Sequence, residues 1–271
     1  MQTSGIKMTI SILGCGWYGK ALGRALAAKG FMVKGSATSA DKLGALAYLG
    51  ILPFEVRAEA GGLKAGPGFF DCDVLVISIP PRFRRGESAD YLPKLGYIID
   101  AIKQYGIKKA IYTSSTGVYG DTNREVDELS DPQPGTETGV ILLGAEKLFE
   151  KETEFRTAIL RFGGLIVEGR EPGRFFAGKT NIPNGRAPVN LIGLEDCVGI
   201  TETVIEKDAF GHIFNACSPE HPQKAEFYRA AAAKAGLPAP DFIDELLDWK
   251  MVNSVYVPGT LGYQFTGSLV T

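Results

Sequence analysis

Three closely spaced glycines stand near the start of the chain, in the run Gly14-Cys15-Gly16-Trp17-Tyr18-Gly19. The run follows an apolar stretch at 8–13 and opens a helix-like stretch that Gly30 ends, and a second apolar stretch comes at 31–34. Strand, Gly-x-Gly-x-x-Gly, helix and strand in this order predict a dinucleotide site. The first glycine permits a tight turn, the second lets the backbone approach a diphosphate, and the third lets helix pack on strand. N–H groups at the start of the helix then face the diphosphate.

Hydroxyl groups, rather than an acid, follow the second predicted strand. The chain continues as Gly35-Ser36-Ala37-Thr38-Ser39, and no Asp or Glu occurs in it before Asp41. An NAD site usually places an acidic side chain here, on the ribose 2′-hydroxyl. Small hydroxyls, with Lys42 one turn into the next helix, suit a 2′-phosphate better. NADP is therefore preferred over NAD as the predicted cofactor, although Thr38 or Ser39 could simply cap that helix.

The fourth predicted strand ends in Ser78-Ile79-Pro80-Pro81-Arg82, which would run under the cofactor. Arg82, Arg84 and Arg85 could approach a phosphate, or form a solvated loop. The predicted cofactor-binding residues are Gly14, Cys15, Gly16, Trp17, Tyr18, Gly19, Ser36, Thr38, Ile79, Pro80, Pro81 and Ser114.

An alternation of strands and helices must position these residues. Strands are predicted at 8–13, 31–35, 52–57, 73–79, 107–114, 157–162 and 212–215, and helices at 17–29, 40–49, 89–105, 138–153, 194–207 and 223–235. Continuous apolar runs such as 74–77 are typical of strands buried on both faces. The pattern predicts an α/β fold: a Rossmann-type doubly wound parallel sheet with a small C-terminal substrate lobe. Residues 1–162 and 189–215 are assigned to the dinucleotide-binding domain, and 163–188 and 216–271 to the lobe.

Composition excludes several classes of protein. The 271 residues are 45% apolar and 22% charged with a net charge of −2, and basic residues are not clustered, so neither a nucleic-acid nor a membrane partner is predicted. No stretch reaches membrane-span length and the first residues do not resemble a secretory signal, so a cytoplasmic location is expected. The four cysteines lack zinc-ligand spacing, and no metal site is predicted. His212 and His221 are assigned no catalytic role.

The fifth predicted strand ends in Tyr112-Thr113-Ser114-Ser115-Thr116-Gly117-Val118-Tyr119-Gly120. This run resembles the extended short-chain dehydrogenase/reductases, the NAD-dependent epimerase/dehydratase family, in which a Thr-Ser-Ser run precedes Val-Tyr-Gly. Further resemblances cover nearly the whole chain: Asp127-Glu128, Leu160 to Gly164, Val189 to Asp196, Gly211 to Asn215 and Asn253 to Tyr263. The resemblance implies that Ser115 binds the reacting oxygen of a small polar substrate, often a nucleotide sugar. It also implies a possible homodimer through the helices at 89–105 and 138–153.

The chain departs from that family on the next helix. The family's Tyr-x-x-x-Lys pair falls on Thr138 and Leu142, and Lys147 lies about 140° further round the helix. The lysine and nicotinamide charges normally lower the pKa of the tyrosine, which becomes a base. The resemblance therefore implies an atypical subgroup with Ser115 and Thr138 at the catalytic positions, and Tyr119 or Glu137 as alternative stand-ins. Tyr105 and Lys109 have the required spacing, but they precede the fifth strand and are read as a helix C-terminus.

The segment from Glu168 to Lys179 is rich in glycine and basic residues. In the resembled family this region contacts substrate, so Arg174 or Lys179 is a candidate for an anionic group and Phe175 or Phe176 for stacking. A surface loop is the alternative reading. The predicted substrate residues are Gly164, Arg174, Phe175 and Asn190. Two functions stay open: an NAD(P)-dependent oxidoreductase, epimerase or dehydratase, and a sensor that binds NADP without turnover.

Overall fold

The computed structural model describes residues 8–59, 61–81, 89–169 and 171–269. The strands are β1 (Thr9–Leu13), β2 (Met32–Ala37), β3 (Leu52–Glu59), β4 (Gly62–Ala65), β5 (Val74–Ile77), β6 (Lys109–Ser115), β7 (Arg124–Val126), β8 (Arg156–Phe162), β9 (Gly164–Ile166), β10 (Leu191–Gly193), β11 (Ile213–Ala216) and β12 (Lys250–Val252). The helices are α1 (Trp17–Ala28), α2 (Ala40–Ala47), α3 (Tyr91–Gln104), α4 (Glu137–Glu150), α5 (Leu194–Glu206), α6 (Lys224–Lys234) and α7 (Tyr256–Gly259).

Among the described residues, eight strands form one sheet in the order β11-β8-β6-β5-β1-β2-β3-β4. β1 pairs in parallel with both β2 and β5, so the strand order reverses on the two sides of β1. Ligands of open α/β sheets bind at such a switch point, beyond the carboxyl ends of the strands. The α/β fold and its Rossmann-type sheet with flanking helices are confirmed.

The sheet is not wholly parallel, because β3 turns back into the antiparallel strand β4. No pattern in the sequence predicts this strand. It is four residues long, two of them exposed, and too short to show an alternation of apolar and polar residues. The same brevity explains why the three-residue strands β7, β9, β10 and β12 were not predicted.

The predicted long elements are confirmed, with ends that differ by a few residues. All four residues of β5 are buried, as the continuous apolar run predicts. The chain divides into two compact units. The first contains the described residues up to Ser114 with Ile141–Leu160 and Thr201–His212, and the second contains Ser115–Val140, Arg161–Ile200 and the described residues from Ile213 onward. The domain boundaries drawn from the sequence stay a prediction.

Candidate functional site

The glycine turn lies directly after β1, at the switch point of the sheet. Gly14 has a φ of +106°, a conformation that L side chains rarely adopt, and a Cβ placed there would lie 2.3 Å from the Ser78 carbonyl oxygen. The end of β5 therefore packs against the turn so closely that only glycine fits.

The other two glycines of the turn differ in what surrounds them. A Cβ at Gly19 would lie 2.4 Å from the carbonyl oxygen of Gly14, so this glycine lets α1 pack against the turn. A Cβ at Gly16 would meet no heavy atom within 4 Å, and Gly16 is the N-cap of α1 without a side-chain cap. The space above Gly16 is open in this structure, at a helix N-terminus of the kind that binds phosphate.

The side chains between the glycines point in different directions. Trp17 is 58% exposed, whereas Tyr18 is buried and its hydroxyl lies 2.7 Å from that of Thr201. The Cys15 thiol packs inward beside Gly35, and burial raises its pKa to about 12. Trp17 thus has the most exposed side chain of the turn, and the Cys15 thiol stays protonated at neutral pH.

At the end of β2, the hydroxyl of Ser36 accepts a 2.8 Å hydrogen bond from the Gly14 N–H, which fixes the turn. Thr38 is exposed, and its carbonyl accepts from Arg57 Nη2 at 2.8 Å. Arg57 Nε donates to Glu55 Oε1, also at 2.8 Å. Arg57 was missed by the sequence analysis because it lies on β3, and its position beside Thr38 depends on the pairing of β2 with β3.

Ile79, Pro80 and Pro81 follow β5. The Ile79 side chain is 3.1 Å from a Cβ placed on Gly14, and the Ile79 carbonyl accepts from the Tyr91 hydroxyl at 3.0 Å. Pro80 is exposed and Pro81 is half-buried. Arg82, Arg84 and Arg85 lie outside the described residues.

Ser114 and Ser115, consecutive at the end of β6, have different surroundings. The Ser114 hydroxyl donates to Glu146 Oε1 at 2.5 Å, and both residues are buried. The Ser114 side chain is therefore engaged within the first unit. Ser115 is half-buried and its Oγ accepts from the Gly117 N–H at 3.1 Å, which leaves the hydroxyl hydrogen free to donate.

Ser115 lines a cavity of about 390 Å³ that lies within the second unit. The lining residues are Ser115, Thr116, Gly117, Phe176, Val189, Asn190, Leu191, Lys224, Tyr228 and Lys250. Two of the predicted site residues, Ser115 and Asn190, thus meet at one cavity. Phe176, Lys224, Tyr228 and Lys250 join them. Of these four, only Phe176 was a candidate from the sequence, because the others come from distant segments that carry no recognised motif.

Asn190 has its side chain committed to the backbone of β12. Its Oδ1 accepts from the Val252 N–H at 2.8 Å, and its Nδ2 donates to the Lys250 carbonyl at 2.9 Å. Asn190 therefore holds Lys250 in place at the cavity. The cavity does not include Gly164, where a Cβ would lie 2.6 Å from a Leu191 side-chain carbon.

Arg174 and Phe175 do not line the Ser115 cavity either. The Arg174 side chain is 72% exposed and lies 3.6 Å from the Glu171 carboxylate, a surface pair that contributes little stability. Phe175 is 46% exposed, and the next residue, Phe176, faces the cavity instead.

The two positions that correspond to the family's Tyr-x-x-x-Lys pair differ in exposure. Thr138, at the start of α4, is exposed, and Leu142 is buried. A Cβ at Gly139 would lie 2.4 Å from the Gly117 carbonyl oxygen, so the start of α4 packs closely on the turn that follows Ser115. Glu137 is exposed at the first position of α4.

Tyr105 is the C-cap of α3, and Gly106 follows it with a φ of +68°. The prediction that Tyr105 belongs to a helix C-terminus is confirmed. Lys109 lies beyond that helix, where it begins β6 and forms an ion pair with Asp208 at 2.9 Å.

Tyr119 is buried in a polar network of the second unit. Its hydroxyl donates to the Asp127 carbonyl at 2.7 Å and accepts from Arg161 Nη1 at 2.6 Å. Desolvation is the largest cause that raises its pKa, and the Arg161 charge opposes it. These hydrogen bonds hold the Tyr119 side chain in the network, and Tyr119 does not line the Ser115 cavity.

Burial governs the remaining thiols as well. It raises the pKa of Cys217 to about 12 and also raises those of Cys72 and Cys197.

Within the described ranges, no group of three or more His, Cys, Asp and Glu residues is placed to hold a metal ion. None of the helices in the described part of the chain is long and apolar enough to cross a membrane.

Protein YeeZ of Escherichia coli K12 is 35% identical over an alignment of 264 residues that covers 94% of this chain and 95% of that protein. The chain belongs to the YeeZ family. No protein-family model matches it.

Two solved structures show how widely the fold of this YeeZ-family chain is shared. A UDP-glucuronic acid 4-epimerase from Bacillus cereus, in complex with NAD, has a TM-score of 0.77 at 20% identity, covering 97% of this chain and 95% of that one. A short-chain dehydrogenase/reductase superfamily protein from Agrobacterium tumefaciens with bound NAD has a TM-score of 0.76 at 18% identity, covering 96% and 93%. The resemblance drawn from the Thr-Ser-Ser run is therefore confirmed for the fold.

Proposed function

We propose that this protein binds NADP at the Gly14 turn and acts as an oxidoreductase, epimerase or dehydratase on a small polar or nucleotide-sugar substrate, with Ser115 binding the reacting oxygen. The observation that carries the proposal is the open space above Gly16, at the switch point of the sheet and at the start of α1. Exposed backbone at a helix N-terminus is suited to a diphosphate. Solved proteins of the same fold bind NAD.

The preference for NADP is supported by the groups beside the end of β2. Ser36 and Thr38 supply hydroxyls, and the Arg57 guanidinium donates to the Thr38 carbonyl. Arg57 Nη1 is directed to neither Thr38 nor Glu55, and a guanidinium is well suited to a phosphate. We therefore assign Arg57 to the 2′-phosphate, with the Glu55 carboxylate partly offsetting its charge.

The chemistry assigned to the protein itself is limited. A bound nicotinamide supplies hydride transfer. The Ser115 hydroxyl donates to a substrate oxygen, since its Oγ already accepts from Gly117. Thr138 cannot act as a base near neutral pH as a tyrosine beside a lysine does, and missing acid–base catalysis costs about 10²- to 10⁴-fold in rate. Slow turnover by an atypical route is therefore expected.

A sensor that binds NADP without turnover is the second candidate. It is favoured by Leu142, a buried apolar residue where the resembled enzymes carry their lysine. The cytoplasmic location and the homodimer also stay predictions.

The two candidates are separated by two incubations: NADPH with carbonyl compounds, followed by nicotinamide absorbance, and NADP+ with nucleotide sugars, followed by chromatography of the sugars. An enzyme gives NADPH oxidation in the first incubation or an altered sugar in the second, and Ser115→Ala reduces either one while the cofactor still binds. Binding is followed through the emission of the exposed Trp17. Tight NADPH binding without turnover on the whole panel would establish the sensor, and absence of binding would overturn both.

Cofactor preference is tested with Arg57→Ala. The loss of a charge-assisted contact, worth about 1.5–3 kcal/mol, should weaken NADPH binding by roughly 10- to 100-fold and leave NADH unchanged. Arg156→Ala is the matched control, because Arg156 is also an exposed arginine paired with an acid but lies at the start of β8. Equal loss for both cofactors would contradict the assignment.

A further inference from the structure

The Ser115 cavity carries two lysines and no acidic residue among its lining side chains. We propose that Lys224 anchors an anionic group of the substrate, a phosphate or a carboxylate, and that the substrates of this protein therefore belong to the anionic class. This inference rests on the proposed function, because it concerns the substrate that reacts at Ser115.

Lys224 begins α6 and is held by neutral groups. Its Nζ donates to the Pro183 carbonyl at 3.2 Å and lies 5.3 Å from the centroid of the Phe176 ring and 5.9 Å from that of Phe242. Aromatic faces and a carbonyl attract an ammonium without neutralising it. Asp121 attracts this ammonium at longer range, but within the described chain no carboxylate lies within ion-pair distance of it, so most of its charge is available to a ligand.

Lys250 contributes a second charge but is differently placed. Its Nζ donates to the Tyr119 carbonyl at 2.6 Å and lies 3.1 Å from the Asp121 carboxylate. Asp121 therefore offsets the charge of Lys250, whose side chain mainly forms part of the cavity wall. Lys224, Lys250 and Asp121 together leave about one positive charge, and a single anionic group would neutralise it.

The wall beside Lys224 is aromatic. Tyr228 lies one helical turn after Lys224 on α6, and its ring is 4.7 Å from that of Phe176 in an edge-on contact. Both rings line the cavity. A volume of about 390 Å³ is near the lower end of ligand cavities, so it accommodates a polar ring and its anionic group.

The test measures binding of defined anionic probes in the presence of NADPH by calorimetry: inorganic phosphate, glucose 1-phosphate, glucuronate and UDP-glucuronic acid, with glucose as the neutral analogue. The probes separate phosphate, carboxylate and nucleotide diphosphate as the source of the charge. Lys224→Met, which keeps an apolar stem, should weaken the preferred anionic probe roughly 10- to 100-fold. Lys224→Arg should restore most of the affinity.

Lys234→Met is the matched control, because it removes a lysine from the same helix at its far end, away from the Ser115 cavity. It should leave the affinity of the anionic probes unchanged. The proposal is overturned if no anionic probe binds better than glucose, or if Lys224→Met binds as the wild type does. Equal weakening in Lys234→Met, which would indicate a general charge effect, also overturns it.

The result is separable from the proposed function. NADPH binding, read from Trp17 emission, should be the same in Lys224→Met and the wild type. If an anionic probe binds through Lys224 but NADPH does not bind to the wild type, the proposed cofactor site fails while the anion site stands. If NADPH binds and is oxidised with uncharged substrates only, the anion site fails alone.

Discussion

Replacement of Gly16 by valine separates binding from folding. Because no heavy atom lies within 4 Å of the added Cβ position, the variant should keep its fold. The N-cap loses a favourable glycine, at a cost of about 1 kcal/mol or less. The same side chain would occupy the space assigned to the diphosphate. Loss of two charge-assisted contacts, at about 1.5–3 kcal/mol each, predicts a rise in Kd of roughly 10²- to 10⁴-fold.

The assay combines Trp17 emission, titrated with NADPH and NADH, with urea unfolding of the same samples. We expect the emission change to vanish in Gly16→Val and the unfolding midpoint to move little. Wild-type affinity in the variant would refute the assignment of the diphosphate to this turn. A collapse of stability would refute the inference that the space above Gly16 is open.

Two further predictions concern packing and charge. In Gly19→Ala the added methyl would lie 2.4 Å from the Gly14 carbonyl oxygen. This clash should destabilise the protein by about 1–3 kcal/mol and lower its Tm by roughly 2–12 °C. An unchanged Tm would contradict this prediction. Burial lowers the pKa of Lys224 from its ordinary value of 10.5, so its ammonium loses its proton at lower pH than a free lysine. Affinity for a phosphate or carboxylate should therefore fall as pH rises through that lowered pKa, and Lys224→Met should abolish the dependence; a flat profile in the wild type across the alkaline range would contradict it.

Sequence patterns predicted the glycine turn and the long elements because their signals are local. The apolar run before Gly14 and the helix after Gly19 lie within one βαβ unit, whose chain order fixes its geometry. The switch point then follows from the alternation of strands and helices. Ser115 and Asn190, which share a cavity, were candidates by resemblance rather than by periodicity.

The residues that complete the site could not be predicted in this way. Arg57 reaches Thr38 only through strand pairing, and Lys250 reaches the cavity on a three-residue strand held by Asn190. The buried carboxylate of Glu146 engages the hydroxyl of Ser114 across 32 residues of chain, and the place of Ser114 at the cofactor stays a prediction. Such placements depend on tertiary contacts between distant segments, which leave no periodic trace in the sequence.

The inward packing of the four thiols has a practical consequence. With a pKa of about 12, the Cys15 and Cys217 thiols are each deprotonated in roughly one molecule in ten thousand or fewer near neutral pH. Burial raises the pKa of Cys72 and of Cys197 as well. Alkylating dyes at neutral pH should therefore react with these four thiols far more slowly than with an exposed cysteine. A cysteine introduced at Val140, which is 56% exposed on α4, would then give a single attachment point for distance measurements, with no need to remove the native thiols.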